Sequence, residues 1–181
     1  FVVRAQVLRD GEWWLAVETA TERAWCPSCG VRAVGHGRAR SVVRDLPIAG
    51  VATVLVFARR RWLCPEALCA MRTWSEHVDA VARRASLTER ARRRLADMVN
   101  IEGWSIAAAG VEFGVGWHTA NQAVAAYTDP AVEDPARLDG VTSIGVDEKR
   151  FLNATSTHRT VFTTQIVDLD RHRLLDVIEG R

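Results

Sequence analysis

The sequence has 181 residues, of which 48% are apolar and 25% charged, with a formal net charge of +2. This length allows one sizeable core or two or three small units, and the composition is that of a globular protein, not a disordered tail. No run of about 18 apolar residues and no charged-then-apolar leader is present, so the sequence predicts a cytoplasmic protein with no membrane partner.

The chain opens at Phe1 inside a Val/Leu-rich stretch that reads as a strand already under way, so the sequence is expected to be a piece of a longer protein. Charge is unevenly spread. From Arg23 to Arg94 there are fifteen arginines against five acids, whereas from Asp129 onward ten acids face seven bases. A basic front and a mildly acidic back predict a polyanion-binding part joined to a part with another task. All the basic residues except Lys149 are arginine. The planar guanidinium fork suits phosphate, although GC-rich codon usage would give the same bias.

The first motif is Cys26-Pro-Ser-Cys29, separated by 34 intervening residues from Cys64-Pro-Glu-Ala-Leu-Cys69. Two short knuckles separated by a β-rich insert can set four thiolates tetrahedrally around Zn²⁺ at about 2.3 Å. Pro27, Gly30 and Pro65 favour the tight turns that aim backbone N–H groups at sulfur. Two disulfides or four unrelated buried thiols would be the competing explanations; disulfides are disfavoured in a cytosolic chain, and independent cysteines rarely fall into two knuckles. Four protein ligands leave no open position, so zinc here is structural, with His36 and His77 as surface or supporting residues. The β-branched and aromatic run Val51–Leu63 reads as a strand entering the second knuckle.

Ser86-Leu-Thr-Glu89 reads as a capping box that opens an amphipathic helix over about 87–100, with Leu87, Ala91, Leu95 and Met98 on one face. From Ser105 the pattern is a short helix, a small residue at Gly110, a turn at Gly114 and a second helix from Trp117 to Tyr127. Gly110 lets the helices cross closely and Gly114 can take a positive φ, which is the helix-turn-helix pattern. The second helix would then be a recognition helix. Its His118, Thr119, Asn121 and Gln122 are the candidates for phosphates and base edges of double-stranded DNA. That helix carries no arginine, so electrostatic attraction would come from Arg59, Arg60 and Arg61 of the ribbon and Arg92 and Arg93 of the preceding helix. The seven tryptophans are expected mainly in cores and domain packing.

Two prolines, a glycine and four acids between Thr128 and Gly140 predict a linker. Strands follow at Val141–Val146, Thr160–Val167 and Arg173–Ile178, the last two forming a hairpin around Asp168–His172. The first strand is expected to end at Asp147. A carboxylate at a strand end is a good Mg²⁺ ligand, though composition alone would make Asp147-Glu148 a solvated turn.

The order CPSCG, RSVVRDLPI, RRRWLCPEALC, helix-turn-helix, SIGVDEKRF and TTQIVDLDRHRLLDVIEGR resembles bacterial insertion-sequence transposases of the ISL-three family, over nearly the whole chain from about Ala24. The resemblance implies a ribbon and helix-turn-helix that recognise terminal inverted repeats, then an RNase H-like domain. The first strand of that domain carries the first acid of an Asp-Asp-Glu (DDE) triad. Asp147 matches that acid and would ligate catalytic Mg²⁺; Glu148 is not implied as catalytic, and Asp168 and Asp170 look like turn residues. The remaining Asp and Glu are expected beyond these 181 residues, so the chain would hold at most one third of its active site. The expected fold class is multi-domain α+β: a β-rich zinc ribbon with preceding strands (1–78), an all-α helix-turn-helix domain (79–128), a linker (129–140) and the truncated start of an RNase H-like α/β domain (141–181). A homodimer remains open. The competing readings are a non-catalytic zinc-ribbon and helix-turn-helix regulator, and a decayed remnant of a mobile element.

Overall fold

The computed structural model describes residues 1–180. The chain divides into two compact units, Phe1–Thr128 and Asp129–Arg181. Among the described residues no helix is long and apolar enough to cross a membrane.

In the first unit, β1 (Val2–Arg9) and β2 (Glu12–Glu18) form an antiparallel hairpin. β3 (Val34–Ile48) and β4 (Val51–Leu63) form a second, longer one. Parallel pairing of β2 with β4 joins them in the order β1-β2-β4-β3, and the short β5 (Thr73–Ser75) adds to the far end of β4. Asp10-Gly11 and Ala49-Gly50 both adopt positive φ, the two-residue geometry that matches strand twist. The predicted strand Val51–Leu63 therefore coincides with β4. Its period of two puts Leu55 and Phe57 on one face, where Val17, Val43 and Val81 bury them. Each fully buried side chain of this size contributes about 1.5–3 kcal/mol.

Three helices follow: α1 (Glu89–Asn100), α2 (Ile106–Glu112) and α3 (Trp117–Glu133). Their core gathers Leu87, Ala91, Leu95, Met98, Ala109, Phe113, Ala120, Ala123 and Val124, with Leu46 of β3 packed against it. A Cβ on Gly110 would lie 3.0 Å from the Val115 carbonyl oxygen and 3.2 Å from Ala120 Cβ, so glycine allows the α2–α3 crossing. Gly114 has φ 62°, the left-handed conformation expected of the turn.

Ser86 does not cap α1. Thr88 is the N-cap, its hydroxyl accepting from the Ala91 N–H at 3.2 Å. The reason is that residues 86–88 are held extended against β3: Arg44 N–H donates to Ser86 O (2.8 Å) and Thr88 N–H to Arg44 O (2.9 Å). The next β3 residue, Asp45, is 4% exposed and accepts from the Thr88 hydroxyl (2.7 Å) and Arg90 Nε (2.7 Å), with a second Arg90 nitrogen on its other oxygen. Burial pushes the Asp45 carboxyl up, but the bonds from Arg90, Thr88 and the Leu46 N–H outweigh it and leave it below its ordinary value. Asp45→Ala is expected to lower stability by about 1–3 kcal/mol, because it leaves the buried Thr88 hydroxyl without its acceptor, while the largely exposed Arg90 can turn to water. A lowered folded pKa means that this contribution is complete above the unfolded pKa and is lost as pH falls through the folded one. Denaturant titrations should therefore show the gap between wild type and variant closing in acid.

α3 is longer than predicted. It passes through Pro130 to Glu133 and is followed by a single 3-10 turn, Pro135–Leu138, so much of the expected linker is helical. In the second unit β6 (Ile144–Leu152), β7 (Val161–Asp168) and β8 (Arg173–Glu179) form an antiparallel meander in that order. The predicted hairpin around Asp168–His172 is present; Asp168 Oδ1 accepts from the N–H groups of Asp170 (3.0 Å) and Arg171 (3.1 Å). β6, however, does not end at Asp147. Pairing with β7 continues to Leu152↔Val161, because Glu148, Lys149 and Arg150 sit on an exposed edge strand where charge is compatible with pairing. Asp147 is therefore a mid-strand residue opposite Gln165.

Candidate metal centre and basic surface

The β2–β3 connection and the segment after β4 carry the two knuckles to one end of the sheet. Cys26 N–H donates to Val31 O (2.8 Å) and Gly30 N–H to Cys26 O (2.9 Å), with Gly30 at φ 72°, closing the first turn. Cys64 N–H donates to Arg72 O (2.9 Å) and Cys69 N–H to Glu66 O (3.2 Å), closing the second. The Sγ atoms of Cys26 and Cys69 are 3.7 Å apart, those of Cys29 and Cys64 3.6 Å, and all four lie within 4.8 Å of one another. A tetrahedron with Zn–S bonds of about 2.3 Å has S···S edges of about 3.8 Å, so the four thiols fit zinc. Among the described residues no other group of three or more His, Cys, Asp or Glu is placed to hold a metal. His36 is exposed, and His77 is 89% exposed and pairs with Asp79 at 2.8 Å, so neither joins the site.

The thiols are not equivalent. At Cys26 burial raises the pKa, but backbone N–H groups of Cys29 and Ser28, with the neighbouring thiols, bring it down to about 7. At Cys64 burial dominates, against the Glu66 N–H, and the thiol is pushed up to about 12. Cys29 receives the Val31 N–H, yet burial and the thiols of Cys69 and Cys26 leave it raised. The raised thiols of Cys29 and Cys64 thus hold protons that a divalent cation would displace, and the N–H groups already face the sulfurs.

The arginines sort into two groups. Arg59, expected on a phosphate, is 6% exposed and turned inward: its guanidinium donates to the carbonyls of Glu76 (3.1 Å), Val81 and Ala82 (3.4 Å) and lies 5.1 Å from the Phe57 ring centroid. The strand period puts it on the same face as Leu55 and Phe57, a signal present in the sequence, and it serves packing rather than a surface contact. Glu18, 5% exposed, accepts from Arg4 (2.6 Å) and Arg38 (2.8 Å) and lies 3.7 Å from Arg60; the bond from Arg4 leads those that hold its carboxyl below the ordinary value. Arg92 pairs with Glu89 at 3.1 Å, whereas Arg61 is exposed and Arg93 is exposed over the Tyr127 ring at 5.8 Å. On α3, His118 and Gln122 are exposed and Thr119 and Asn121 half-buried, while Ala120, Ala123 and Val124 face the core. Asp147 is exposed on β6.

Four thiols at tetrahedral spacing on two knuckles at the end of a sheet define a zinc ribbon. Residues 22–69 match the family model for the zinc-finger of transposase IS204/IS1001/IS1096/IS1165, which supports placing this region with that transposase family. No curated protein and no solved structure matches the chain.

Proposed function

We propose that this chain is the N-terminal portion of a DDE transposase, in which the ribbon and the three helices bind the terminal inverted repeats of an insertion sequence. In this reading the second unit begins an RNase H-like catalytic domain. The observation that carries the proposal is the transposase-type ribbon at residues 22–69, joined through Arg44, Asp45 and Leu46 to a helix pair with a glycine turn. An α2-turn-α3 arrangement with Trp117, His118 and Gln122 exposed supports a helix-turn-helix whose α3 enters the major groove. Arg60, Arg61, Arg92 and Arg93, with Thr119 and Asn121, are the remaining candidates for DNA contact; Arg59 is not.

The antiparallel β6-β7-β8 meander supports the start of an RNase H-like sheet, with Asp147 as the first of three acids. One exposed carboxylate is a single oxygen donor, so the described residues do not by themselves build a Mg²⁺ site, and Asp147 is assigned only as a first ligand.

Binding to an element-end duplex should depend steeply on salt. With about three to five phosphates neutralised, affinity is expected to fall roughly 50- to 500-fold between 50 and 200 mM monovalent salt. Fluorescence anisotropy of the zinc-loaded chain measures this, and weak binding indifferent to salt would contradict a DNA-binding front.

A further inference from the structure

A cleft of about 270 Å³ lies where the β5–α1 connection meets the start of α3, lined by Arg83, Arg84, Ser86, Arg92, Thr119 and Gln122 among others. From this geometry we infer that it seats a phosphodiester of the DNA backbone beside α3. The inference rests on the reading of α3 as a DNA-contacting helix and adds Arg83 and Arg84, which lie outside every motif.

Three features of the cleft support a phosphodiester. The first is charge: among the described residues Arg83 and Arg84 form no ion pair, and Arg92 has only Glu89, whose carboxylate also accepts from the Tyr127 hydroxyl. Three guanidinium groups thus face at most one shared carboxylate, an excess that an anion would neutralise. The second is donor type. Forked guanidinium donors with the Thr119 hydroxyl and Gln122 amide suit the non-bridging oxygens of a phosphodiester, which asks for several donors and offers none. The third is rigidity. The buried Arg59 guanidinium bonds the carbonyls of Val81 and Ala82, Ala85 N–H donates to Ala82 O (3.3 Å), and Ser86 O accepts from β3. The loop that presents Arg83 and Arg84 is therefore tied at both ends before any ligand arrives. Thr119 and Gln122 lie in the first two turns of α3, so a phosphate held here would fix how deeply that helix sits in a groove without reading sequence.

The test compares wild type with Arg83→Gln/Arg84→Gln and Arg83→Lys/Arg84→Lys, all zinc-loaded, on an element-end DNA duplex, a mixed-sequence DNA duplex and an RNA duplex across a salt series. Both arginines are exposed, so melting should be unchanged. The Gln variant should lose roughly 10-fold in affinity at 0.1 M salt for each phosphate contact removed, equally on both DNA duplexes, with the salt slope shallower by about one per contact. The Lys variant should recover most of the slope. Unchanged affinity and slope in a Gln variant whose wild type binds DNA would overturn the seat and leave the Proposed function intact, and a loss confined to RNA would overturn it as well. A wild type that binds no DNA duplex would overturn the Proposed function itself.

Discussion

Stripping zinc from the ribbon is expected to unfold the knuckle end of the sheet while the three helices stay folded. In small zinc modules metal binding supplies on the order of 10 kcal/mol of apparent folding free energy, because the preformed site does not exist in the unfolded chain. The two ends of the first unit differ in what else holds them. Around Phe57 the sheet has its own core of Val17, Val43, Leu55 and Val81, and α1–α3 have theirs. At the other end, Cys26 and Cys64 are buried without an apolar cluster, and the segments around them contain no helix and only the three residues of β5. Among the described residues neither apolar core cluster includes a knuckle residue, so the four sulfurs, within 4.8 Å of one another, depend on the metal to hold them together. Cys64→Ala or a strong chelator should therefore take zinc from about one per chain to near zero. Amide exchange should accelerate at residues 24–34 and 64–75, with little change in α1–α3. Acid should mimic the chelator, since the thiolates must take protons as zinc leaves. Full retention of amide protection at the knuckles after zinc removal would show that the ribbon is held by something other than the metal.

Legibility in the sequence followed the range of the interactions involved. The knuckles and β4 were readable because their signals are local: paired cysteines at fixed spacing, and a β-branched run that ends in one of them. Gly110 and Gly114 were readable for the same reason, since close approach and positive φ each leave a glycine. The N-cap of α1 is not legible locally, because β3, some forty residues earlier, holds Ser86 and Thr88 extended and passes the cap to Thr88. Arg59 stands in a run of three consecutive arginines, which suggests a surface patch, but the strand period turns it inward. Pro130 contributes to the linker signal of Thr128–Gly140, yet α3 accommodates it. Asp147 looked terminal because acids and bases follow it, while the strand partner that extends β6 to Leu152 lies across a loop in β7. Arg83 and Arg84 carry no local signature; only the fold brings them to Thr119 and Gln122.

On the proposed reading of the second unit as the start of a DDE catalytic domain, Asp147→Asn is expected to abolish DNA cleavage and strand transfer while sparing the fold and the binding of element ends. The measurement belongs on a polypeptide that supplies the two further acids which that reading requires. Asp147 is exposed near the middle of β6, opposite Gln165, which in turn pairs with Val177 of β8. A near-isosteric amide at an exposed strand position should change stability by no more than about 0.5 kcal/mol, so a loss of activity could not be assigned to unfolding. The substitution removes one unit of negative charge and keeps one oxygen. A ligand to Mg²⁺ needs that charge: metal-assisted stabilisation of phosphoryl transfer is worth several kcal/mol, and losing it slows the reaction by on the order of 10³-fold or more. Neither the ribbon nor α3 contains Asp147, so end binding and its salt slope should match the wild type. The neighbouring Glu148→Gln provides the comparison, since Glu148 projects from the opposite face of the strand. Its cleavage should remain within a few-fold of wild type. Unimpaired cleavage by Asp147→Asn would remove Asp147 from the active site, and equal loss in both variants would locate the requirement in the acidity of β6 rather than in one metal ligand.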